Sequence, residues 1–246
     1  MHSFKCISVI TVTYNCELTI DNTILNILNQ DYPFIELIVI DGMSTDNTIS
    51  ILTKYVNKVK LVIEKDKGIY DAMNKGISLS KGDWVIFMNS GDFFISKNTL
   101  TKLSKYFDSE KHVIAGASLY NYPYTTKLHN SIPFRCGVMP ASHQAIFIRT
   151  KILKMYKFNI HYKVAADYDQ LFRIKLNYPD GFLYIDELVS LVDGVGFSTQ
   201  NSNLHLKEYR EILLNYSNQF YANYWYYLNF LKQALKSIVL KKYYIR

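Results

Sequence analysis

The stretch DKGIYDAMNKGISLSKGDWVIFMNSGD, residues 66–92, determines how the rest of the chain is interpreted. Its pattern predicts a loop, a short helix, a turn and a strand that ends in an acidic tip. The run WVIFM, residues 84–88, is entirely apolar, which is typical of a strand buried on both faces of a sheet. Because this run stops at NSGD, we expect Asp92 at the carboxyl end of a central strand, the edge where open α/β sheets bind ligands.

Strand and helix patterns alternate along the first part of the chain. The predicted strands comprise residues 7–12, 35–40, 60–63 and 84–88. Amphipathic spacing predicts helices between them, around residues 20–28, 49–56 and 69–77. Such alternation implies parallel strands joined by right-handed crossovers. The predicted fold is therefore α/β, with a Rossmann-like layered, mostly parallel central sheet flanked by helices.

The second half of the chain is less regular. Its pattern predicts helices at 98–107 and 167–176, strands at 112–117, 142–149, 183–185 and 188–192, a loop or hairpin at 120–140, and a polar, mobile segment at 193–203. We divide the chain into an α/β domain, residues 1–203, and a C-terminal helical extension, residues 204–246, that is rich in aromatic and basic residues. Two interpretations of the extension stay open: an interfacial helix that faces anionic lipids, or a helix packed on the α/β domain or a partner subunit.

The composition is that of a globular protein with a substantial core. Of the 246 residues, 49% are hydrophobic and 20% are charged, and the net charge is +7. A basic balance favours partners such as nucleic acids, anionic membranes or phosphorylated ligands. The sequence carries no nucleic-acid-binding motif, so no nucleic-acid partner is expected.

The cellular location is predicted from cysteine usage and hydropathy. The three cysteines have no metal-ligand spacing, which indicates a reducing compartment. There is no signal-peptide pattern and no apolar run of about 18 residues. We therefore expect a cytoplasmic protein, with peripheral contact on the inner face of the cell membrane if the extension is interfacial.

Polar side chains follow three of the predicted strands. They are Thr11, Thr13, Tyr14 and Asn15 at the end of the first strand, Asp41 after the second and Asp92 after the fourth. A single aspartate in such a place usually serves only a turn. Because the carboxyl ends of parallel strands meet at one edge of a sheet, several such residues together predict a binding site there.

These residues, together with the segment DKGIYDAMNKG at 66–76, resemble glycosyltransferase family 2, the nucleotide-sugar-dependent enzymes of the GT-A fold. The resemblance extends over residues 4–192 and is nearest to enzymes of bacterial capsule, exopolysaccharide and O-antigen biosynthesis. It implies an inverting, metal-dependent glycosyltransferase. Such an enzyme would move a sugar from a nucleotide-sugar donor, expected to be a UDP-sugar, to a hydroxyl of a saccharide or polyprenyl-linked saccharide acceptor in surface polysaccharide biosynthesis.

The resemblance also implies roles for individual residues. Asp92 would hold Mn²⁺ or Mg²⁺ against the donor diphosphate. Asp167, in the segment AADYD, would be the general base that deprotonates the acceptor hydroxyl. His143 and Gln144 would lie near the acceptor. The residues implied in donor binding are Thr11, Thr13, Tyr14, Asn15, Asp41, Lys67, Gly68, Asp71, Asn74, Asn89, Ser90 and Gly91.

Several of these residues also have a purely structural interpretation. Asp71 and Asn74 share a helix face that would suit an amphipathic surface helix. His143 could be an internal histidine with no ligand, and Asp167 could be the N-cap of a helix.

Two other functions stay open beside glycosyl transfer. A sugar-phosphate nucleotidyltransferase would share the layered sheet, but it should carry a glycine-rich signature after the first strand, and residues 13–17 contain no glycine. A catalytically degenerate GT-A-like binding module would explain why Asn89 and Gly91 stand where relatives carry acids.

Overall fold

The computed structural model describes residues 4–194 and 201–244, with the backbone alone from residue 236. The predicted mobile segment at 193–203 therefore lies largely outside the described residues. The strands are β1 (Ile7–Thr13), β2 (Ile35–Asp41), β3 (Lys60–Ile63), β4 (Trp84–Phe87), β5 (Phe93–Phe94), β6 (Val113–Tyr122), β7 (Thr125–His129), β8 (Ile146–Arg149) and β9 (Phe182–Asp193). The helices are α1 (Ile20–Leu28), α2 (Thr48–Thr53), α3 (Ile69–Leu79), α4 (Thr99–Phe107), α5 (Thr150–Met155), α6 (Ala166–Asn177), α7 (Ser202–Tyr216) and α8 (Gln219–Tyr244).

The strands form a single mixed sheet in the order β3-β2-β1-β4-β8-β6-β9-β5, with β7 paired to the outer part of β6. Strands β3, β2, β1 and β4 run parallel to one another, as do β6 and β9, whereas β8 is antiparallel to both of its neighbours. The predicted α/β architecture, with a mostly parallel sheet flanked by helices, is confirmed.

β1 is buried along its whole length because helices cover both faces of the sheet. Its side chains alternate between two apolar clusters. Ile10 and Val12 belong to the cluster that includes residues of α3 and α6. Ile7 and Val9 belong to the cluster that includes residues of α1 and α4. The continuous apolar run predicted for a two-sided strand is likewise buried throughout β4.

In the second half, three details refine the sequence prediction. The predicted strand at 142–149 begins only at Ile146, because His143–Ala145 form a short 3-10 turn whose polar side chains bond to the turn after β4. The two predicted strands at 183–185 and 188–192 are one strand, β9, whose pairing with β6 shifts register beside Ala117. For residues 120–140 the prediction is a loop or a hairpin. The structure has a hairpin there, formed by the end of β6 and by β7.

An aromatic stack joins the C-terminal extension to the α/β domain. The rings of Phe134, Tyr168, Tyr209 and Trp225 follow one another with centroids 5.7, 4.3 and 5.2 Å apart and interplanar angles of 14°, 10° and 15°. The indole of Trp225 occupies the space that a Cβ at Gly137 would need, and its Nε1 donates to the Gly137 carbonyl at 3.0 Å. α7 and the start of α8 thus share the core of the α/β domain, while the domain boundary at residue 203 stays a prediction.

The length and apolar character of the helices determine whether any of them could cross a bilayer. Within residues 4–194 and 201–244, no helix combines the length and the apolar character needed to cross a membrane.

The start of α6 is held by a buried carboxylate from α7. Glu208 is 6% exposed, and its two oxygens accept hydrogen bonds from the backbone N–H groups of Lys163, Val164 and Ala165 at 2.7, 2.9 and 3.0 Å. Backbone donors in such a place need partners when water is excluded. Glu208 therefore fixes the loop that leads into α6.

We expect Glu208→Ala to lower the free energy of unfolding by about 3 kcal/mol, because each buried donor left without a partner costs about 1–3 kcal/mol and water can replace only part of the loss. Urea denaturation followed by circular dichroism measures this change. Glu211→Ala is the matched control, since Glu211 lies on the same helix in an exposed pair with His161 and should change stability by less than about 0.5 kcal/mol. Equal losses in the two variants would contradict the role of Glu208.

Candidate active site

The ends of β1, β2 and β4 bring the predicted strand-end residues to one edge of the sheet. Thr13 and Asp41 are register partners at the ends of β1 and β2. The hydroxyl of Thr11, which is fully buried, donates to the carbonyl of Met88 at 2.8 Å. That bond fixes the end of β4 beside β1, so the turn that follows Met88 faces the loops that follow the other two strands.

The loops after β1 and β2 are tied to each other through Asp41. Both oxygens of this buried carboxylate accept hydrogen bonds from Ser44, at 2.8 Å from the backbone N–H and 2.6 Å from the hydroxyl. The same hydroxyl accepts from the backbone N–H of Asn15 at 2.8 Å, and the Asn15 side chain accepts from Thr45 N–H at 2.8 Å. Tyr14 is left 58% exposed at this edge.

Asp66 opens the segment DKGIYDAMNKG and has no predicted role, but it lies against Gly42 at this edge. A Cβ placed on Gly42 would lie 2.5 Å from Oδ2 of Asp66 and 3.4 Å from the ring of Tyr14. The other oxygen accepts from the backbone N–H of Gly68 at 2.8 Å, and Gly68 has a φ of 120° that strongly favours glycine. The carboxylate of Asp66 and the exposed ring of Tyr14 therefore both lie against Gly42.

The remaining polar residues of α3 and its loop bond to protein partners. The side chain of Asp71 accepts from the backbone N–H of the exposed Lys67 at 3.0 Å. The amide of Asn74 bonds at both ends to the backbone of Phe158, at 2.9 and 3.0 Å. Asp71 and Asn74 therefore act first as structural ties, and their predicted donor contacts stay predictions.

The turn after β4 is tightly fixed. The hydroxyl of Ser90 lies 2.9 Å from that of Thr19, and Gly91, with a φ of 95°, donates its N–H to Thr23 at 2.9 Å. Asp92 is 5% exposed.

The two oxygens of Asp92 have different partners. Oδ2 accepts from Nε2 of Gln144 at 2.8 Å, and Oδ1 faces the backbone N–H of Asp193 at 3.3 Å. Burial raises the pKa of Asp92 to about 7, the two hydrogen bonds opposing this rise.

A metal site at Asp92 is compatible with this turn but is not preformed. In the described residues, no three or more His, Cys, Asp or Glu side chains are grouped to hold a metal ion. Two buried oxygens at this edge of the sheet, Oδ1 of Asn89 in the same turn and Oγ1 of Thr13 at the end of β1, have no hydrogen-bond partner. Mg²⁺-like cations commonly take one or two carboxylates and complete their coordination with phosphate oxygens and water. Asp92 fits that minimal role.

Asp167 lies in the first turn of α6. The alternative that Asp167 is the N-cap of this helix is wrong, because Ala165 occupies that position. Its Oδ1 accepts from the backbone N–H of Tyr168 at 2.8 Å and from the hydroxyl of Tyr70 at 3.3 Å. The side chain keeps 21% of its surface exposed. Burial raises its pKa, and the two hydrogen bonds oppose that rise. A carboxylate with this balance can accept a proton from an incoming hydroxyl.

His143 and Gln144 connect Asp167 with the turn after β4. Nε2 of His143 lies 3.1 Å from Nδ2 of Asn89, and Nδ1 lies 3.8 Å from Oδ2 of Asp167. Burial lowers the pKa of His143 to about 4, so the ring is neutral at pH 7. Gln144 bonds to Asp92 and so contacts the turn expected to face the donor, while its predicted acceptor contact stays a prediction.

Sequence reasoning missed three side chains around Asp167. Tyr70 bonds to it directly, and burial raises the pKa values of Tyr70 and Tyr120, with the charge of Asp167 adding to each rise. His205 comes from α7; burial lowers its pKa, and the charge of Asp167 opposes that lowering. Tyr70 lies in the segment that resembles family 2 and could have been noticed there. Nothing in the local pattern of the extension points to His205.

We expect Asp92→Asn to make the metal-free protein more stable at high pH. Because burial raises the pKa of Asp92 from 3.8 to about 7, the folded state retains a proton between these values that the unfolded state has released. Wild-type stability should therefore fall as the pH rises through this range, by about 4 kcal/mol at most. Thermal unfolding in EDTA should show the variant melting above the wild type at pH 8, with the difference shrinking toward pH 5. A variant that melts below the wild type at pH 8 would contradict this assignment.

Comparison with known proteins agrees with this geometry. Residues 8–168, more than half of the chain, match the model of glycosyl transferase family 2. A PGL/p-HBAD biosynthesis glycosyltransferase of Mycobacterium bovis is 28% identical over 174 residues, 66% of this chain and 66% of the relative. The E. coli UDP-Glc:alpha-D-GlcNAc-diphosphoundecaprenol beta-1,3-glucosyltransferase WfaP is 31% identical over 121 residues, 47% of each chain. The alignments thus leave a third or more of each relative unmatched.

Solved structures share the fold. The mannosyltransferase PcManGT from Pyrobaculum calidifontis, solved with GDP-Man and Mn²⁺, superposes with a TM-score of 0.68 at 16% identity, over 92% of this chain and 71% of that one. S. aureus TarS 1-349 with UDP-GlcNAc superposes with a TM-score of 0.67 at 21% identity, over 90% and 70%. The fold is GT-A, and the chain belongs to glycosyl transferase family 2.

Proposed function

We propose that the protein is an inverting glycosyltransferase that moves a sugar from a nucleotide-sugar donor to a hydroxyl of a saccharide or lipid-linked saccharide acceptor. One observation carries this proposal. The carboxylate of Asp167 and the turn that holds Asp92 lie on either side of a single residue, His143, at the edge where the parallel strands end. A single glycosyl displacement needs a base for the acceptor hydroxyl close to the groups that hold the donor diphosphate, and this arrangement can provide both.

We propose that the nucleotide binds beside Tyr14, Gly42 and Asp66. The exposed ring of Tyr14 can stack on a base, and the adjacent carboxylate of Asp66 can accept from a pyrimidine N–H. Asp41 supports the loop that contains Gly42 through Ser44. TarS was solved with UDP and with UDP-GlcNAc, which supports a UDP-sugar as the donor of this chain. We also propose donor contacts for the other residues to which the resemblance assigns them.

The acceptor is proposed to enter beside Asp167. WfaP is named for a lipid-linked acceptor, a diphosphoundecaprenol saccharide, and this supports a lipid-linked saccharide of surface polysaccharide biosynthesis. Tyr120 and His205, which are partly exposed, provide aromatic surface near the carboxylate, and such surface is well suited to the apolar faces of a sugar ring.

The chemistry assigned to this chain is a single displacement. Asp167 accepts the proton of the acceptor hydroxyl as the oxygen attacks the anomeric carbon and the nucleoside diphosphate leaves from the opposite side. The configuration at the anomeric carbon is inverted because no covalent sugar–protein intermediate forms. A positioned base contributes about 10²- to 10⁴-fold to the rate.

The cofactor is proposed to be Mn²⁺ or Mg²⁺ held by Asp92. When bound, such a cation neutralises negative charge on the departing diphosphate. PcManGT was solved with Mn²⁺ beside its nucleotide sugar, which supports the same class of cofactor here. The hydrogen bond from Gln144 keeps the Asp92 carboxylate oriented.

A matched pair of variants tests these roles. Asp167→Asn should abolish sugar transfer while UDP binding in the presence of Mn²⁺ stays within about threefold of wild type, because the base does not hold the nucleotide. Asp92→Ala should weaken Mn²⁺-dependent UDP binding by at least tenfold. Calorimetry with UDP, GDP and dTDP, each with Mn²⁺ and with EDTA, measures binding, and release of UDP from UDP-sugars measures turnover.

Each alternative function predicts a different result in this experiment. Near-wild-type turnover of Asp167→Asn would remove Asp167 as the base. A chain that binds no nucleotide, with or without Mn²⁺, would favour the degenerate binding module. Formation of a nucleotide sugar from a nucleoside triphosphate and a sugar phosphate would favour the nucleotidyltransferase.

We further propose that α8 lies on an anionic membrane surface. One face of this helix carries a stripe of exposed apolar residues. Because each residue of an α-helix is rotated by about 100° from the one before, the stripe covers about 100° of the helix circumference. The stripe consists of Phe220, Tyr224, Tyr227, Leu228, Leu231 and Leu235. Residues 204–246 also contain seven Lys and Arg against two Glu, which is +5 of the net charge of +7. Aromatic and basic residues together favour an interfacial helix over one covered by a neutral protein surface.

The double substitution Leu228→Glu and Leu231→Glu should prevent binding to vesicles, because it places two charges in the centre of the stripe. Sedimentation with vesicles containing phosphatidylglycerol, compared with vesicles of phosphatidylcholine alone, measures the effect. Leu176→Glu is the matched control, since this leucine is 56% exposed on α6, away from the stripe. Wild-type protein that remains in the supernatant with both kinds of vesicle would contradict the proposal.

A further inference from the structure

The imidazole of His143 has a defined direction. Its Nε2 lies 3.1 Å from the side-chain nitrogen of Asn89. With the amide in this orientation its nitrogen donates, so Nε2 is the acceptor and the ring proton lies on Nδ1. Nδ1 is the atom that lies 3.8 Å from Oδ2 of Asp167. Asn89 therefore orients an N–H group toward the expected base.

The two oxygens of Asp167 have different surroundings. Oδ1 accepts from the hydroxyl of Tyr70 and from the backbone N–H of Tyr168. Oδ2 is the oxygen that faces His143. With Oδ1 committed to two donors, Oδ2 is the atom available to receive the proton of an incoming hydroxyl. The side-chain torsion of an aspartate is broad unless its surroundings restrict it, so the neighbour of Oδ2 determines where that atom points.

His143 is itself held in place by its own turn. It lies between Ser142 and Gln144, whose side chains bond to each other, and Gln144 also bonds to Asp92. The titratable and polar groups that the structure places against the ring are Asn89 and Asp167. Because burial keeps the ring neutral at pH 7, with its pKa lowered to about 4, its N–H group faces Oδ2 at 3.8 Å without adding a full charge beside the base.

We propose that His143 is a positioning residue for Asp167: Asn89 fixes its tautomer, and the Nδ1–H group holds Oδ2 of Asp167 toward the acceptor hydroxyl. This inference rests on the proposed function and assigns His143 a role other than the predicted acceptor contact. In the reaction the acceptor proton passes to Oδ2, the new bond to the anomeric carbon forms, and the bond to the diphosphate breaks. His143 keeps its own proton throughout.

Two substitutions at residue 143 separate this role from simple packing. Asn places an amide N–H near the position of Nδ1, whereas Gln reaches the position of Nε2 and leaves Asp167 without the donor. We expect His143→Gln to lower kcat by about 10²-fold and to move the acidic limb of its pH–rate profile upward, because the carboxylate loses a donor that stabilises its charged form. His143→Asn should retain most of kcat, and KM for the donor should stay unchanged in both variants.

The matched control is His161→Asn, at an exposed histidine that pairs with Glu211, and it should leave kcat and the pH profile unchanged. Equal activities of His143→Asn and His143→Gln, or a loss confined to KM, would overturn the proposal.

A second measurement does not depend on turnover. Nitrogen NMR of protein with ¹⁵N-labelled histidine reports which ring nitrogen carries the proton, and the His143→Gln spectrum identifies the resonance. We expect the proton on Nδ1 at neutral pH, and a proton on Nε2 would overturn the proposal. A wild-type chain with the expected tautomer but no sugar transfer would contradict the proposed function and support the arrangement of Asn89 and His143.

Discussion

The whole arrangement depends on the position of β1 between β2 and β4. This strand pairs in parallel with both neighbours and is buried on both faces, so its carboxyl end has no freedom to move. The loops that leave β1, β2 and β4 must therefore meet. The bond from Thr11 to the carbonyl of Met88 extends the same constraint beyond the last residue of β4. Thr13, Asp41 and the turn that carries Asp92 are positioned through this one strand.

The other half of the site is built from a different part of the chain. The match to the family model ends at residue 168, just after the expected base, but the base is held by residues that follow. Glu208 bonds to the backbone before α6, and Tyr209 stacks on Tyr168. α7 thus holds the start of the helix that carries Asp167, just as β1 holds the strand end that leads to Asp92. The turn that carries Asp92 is fixed by the sheet, and Asp167 is fixed by a helix of the extension.

The first half of the fold could be predicted from the sequence because its signals are local. Apolar runs and helical spacing placed β1 to β4 and α1 to α3 within a few residues of their observed ends. The second half contains polar interruptions, such as the register shift in β9 and the turn at His143–Ala145, that arise from contacts distant in sequence. Asp41, Asp92 and Asp167 stand out by motif, and Asp66 lies in the segment that resembles family 2, whereas His205 carries no such signal because only the folded chain brings it near Asp167.

The contact between Trp225 and Gly137 has a consequence for the evolution of this group of proteins. Gly137 has a φ of 78°, and the indole fills the volume beside it. A side chain at residue 137 and an indole at residue 225 exclude each other, although the two positions lie on opposite sides of the domain boundary that the sequence suggests. Among homologues that keep α8, we expect the two positions to covary, so that a larger residue at 137 accompanies a smaller one at 225.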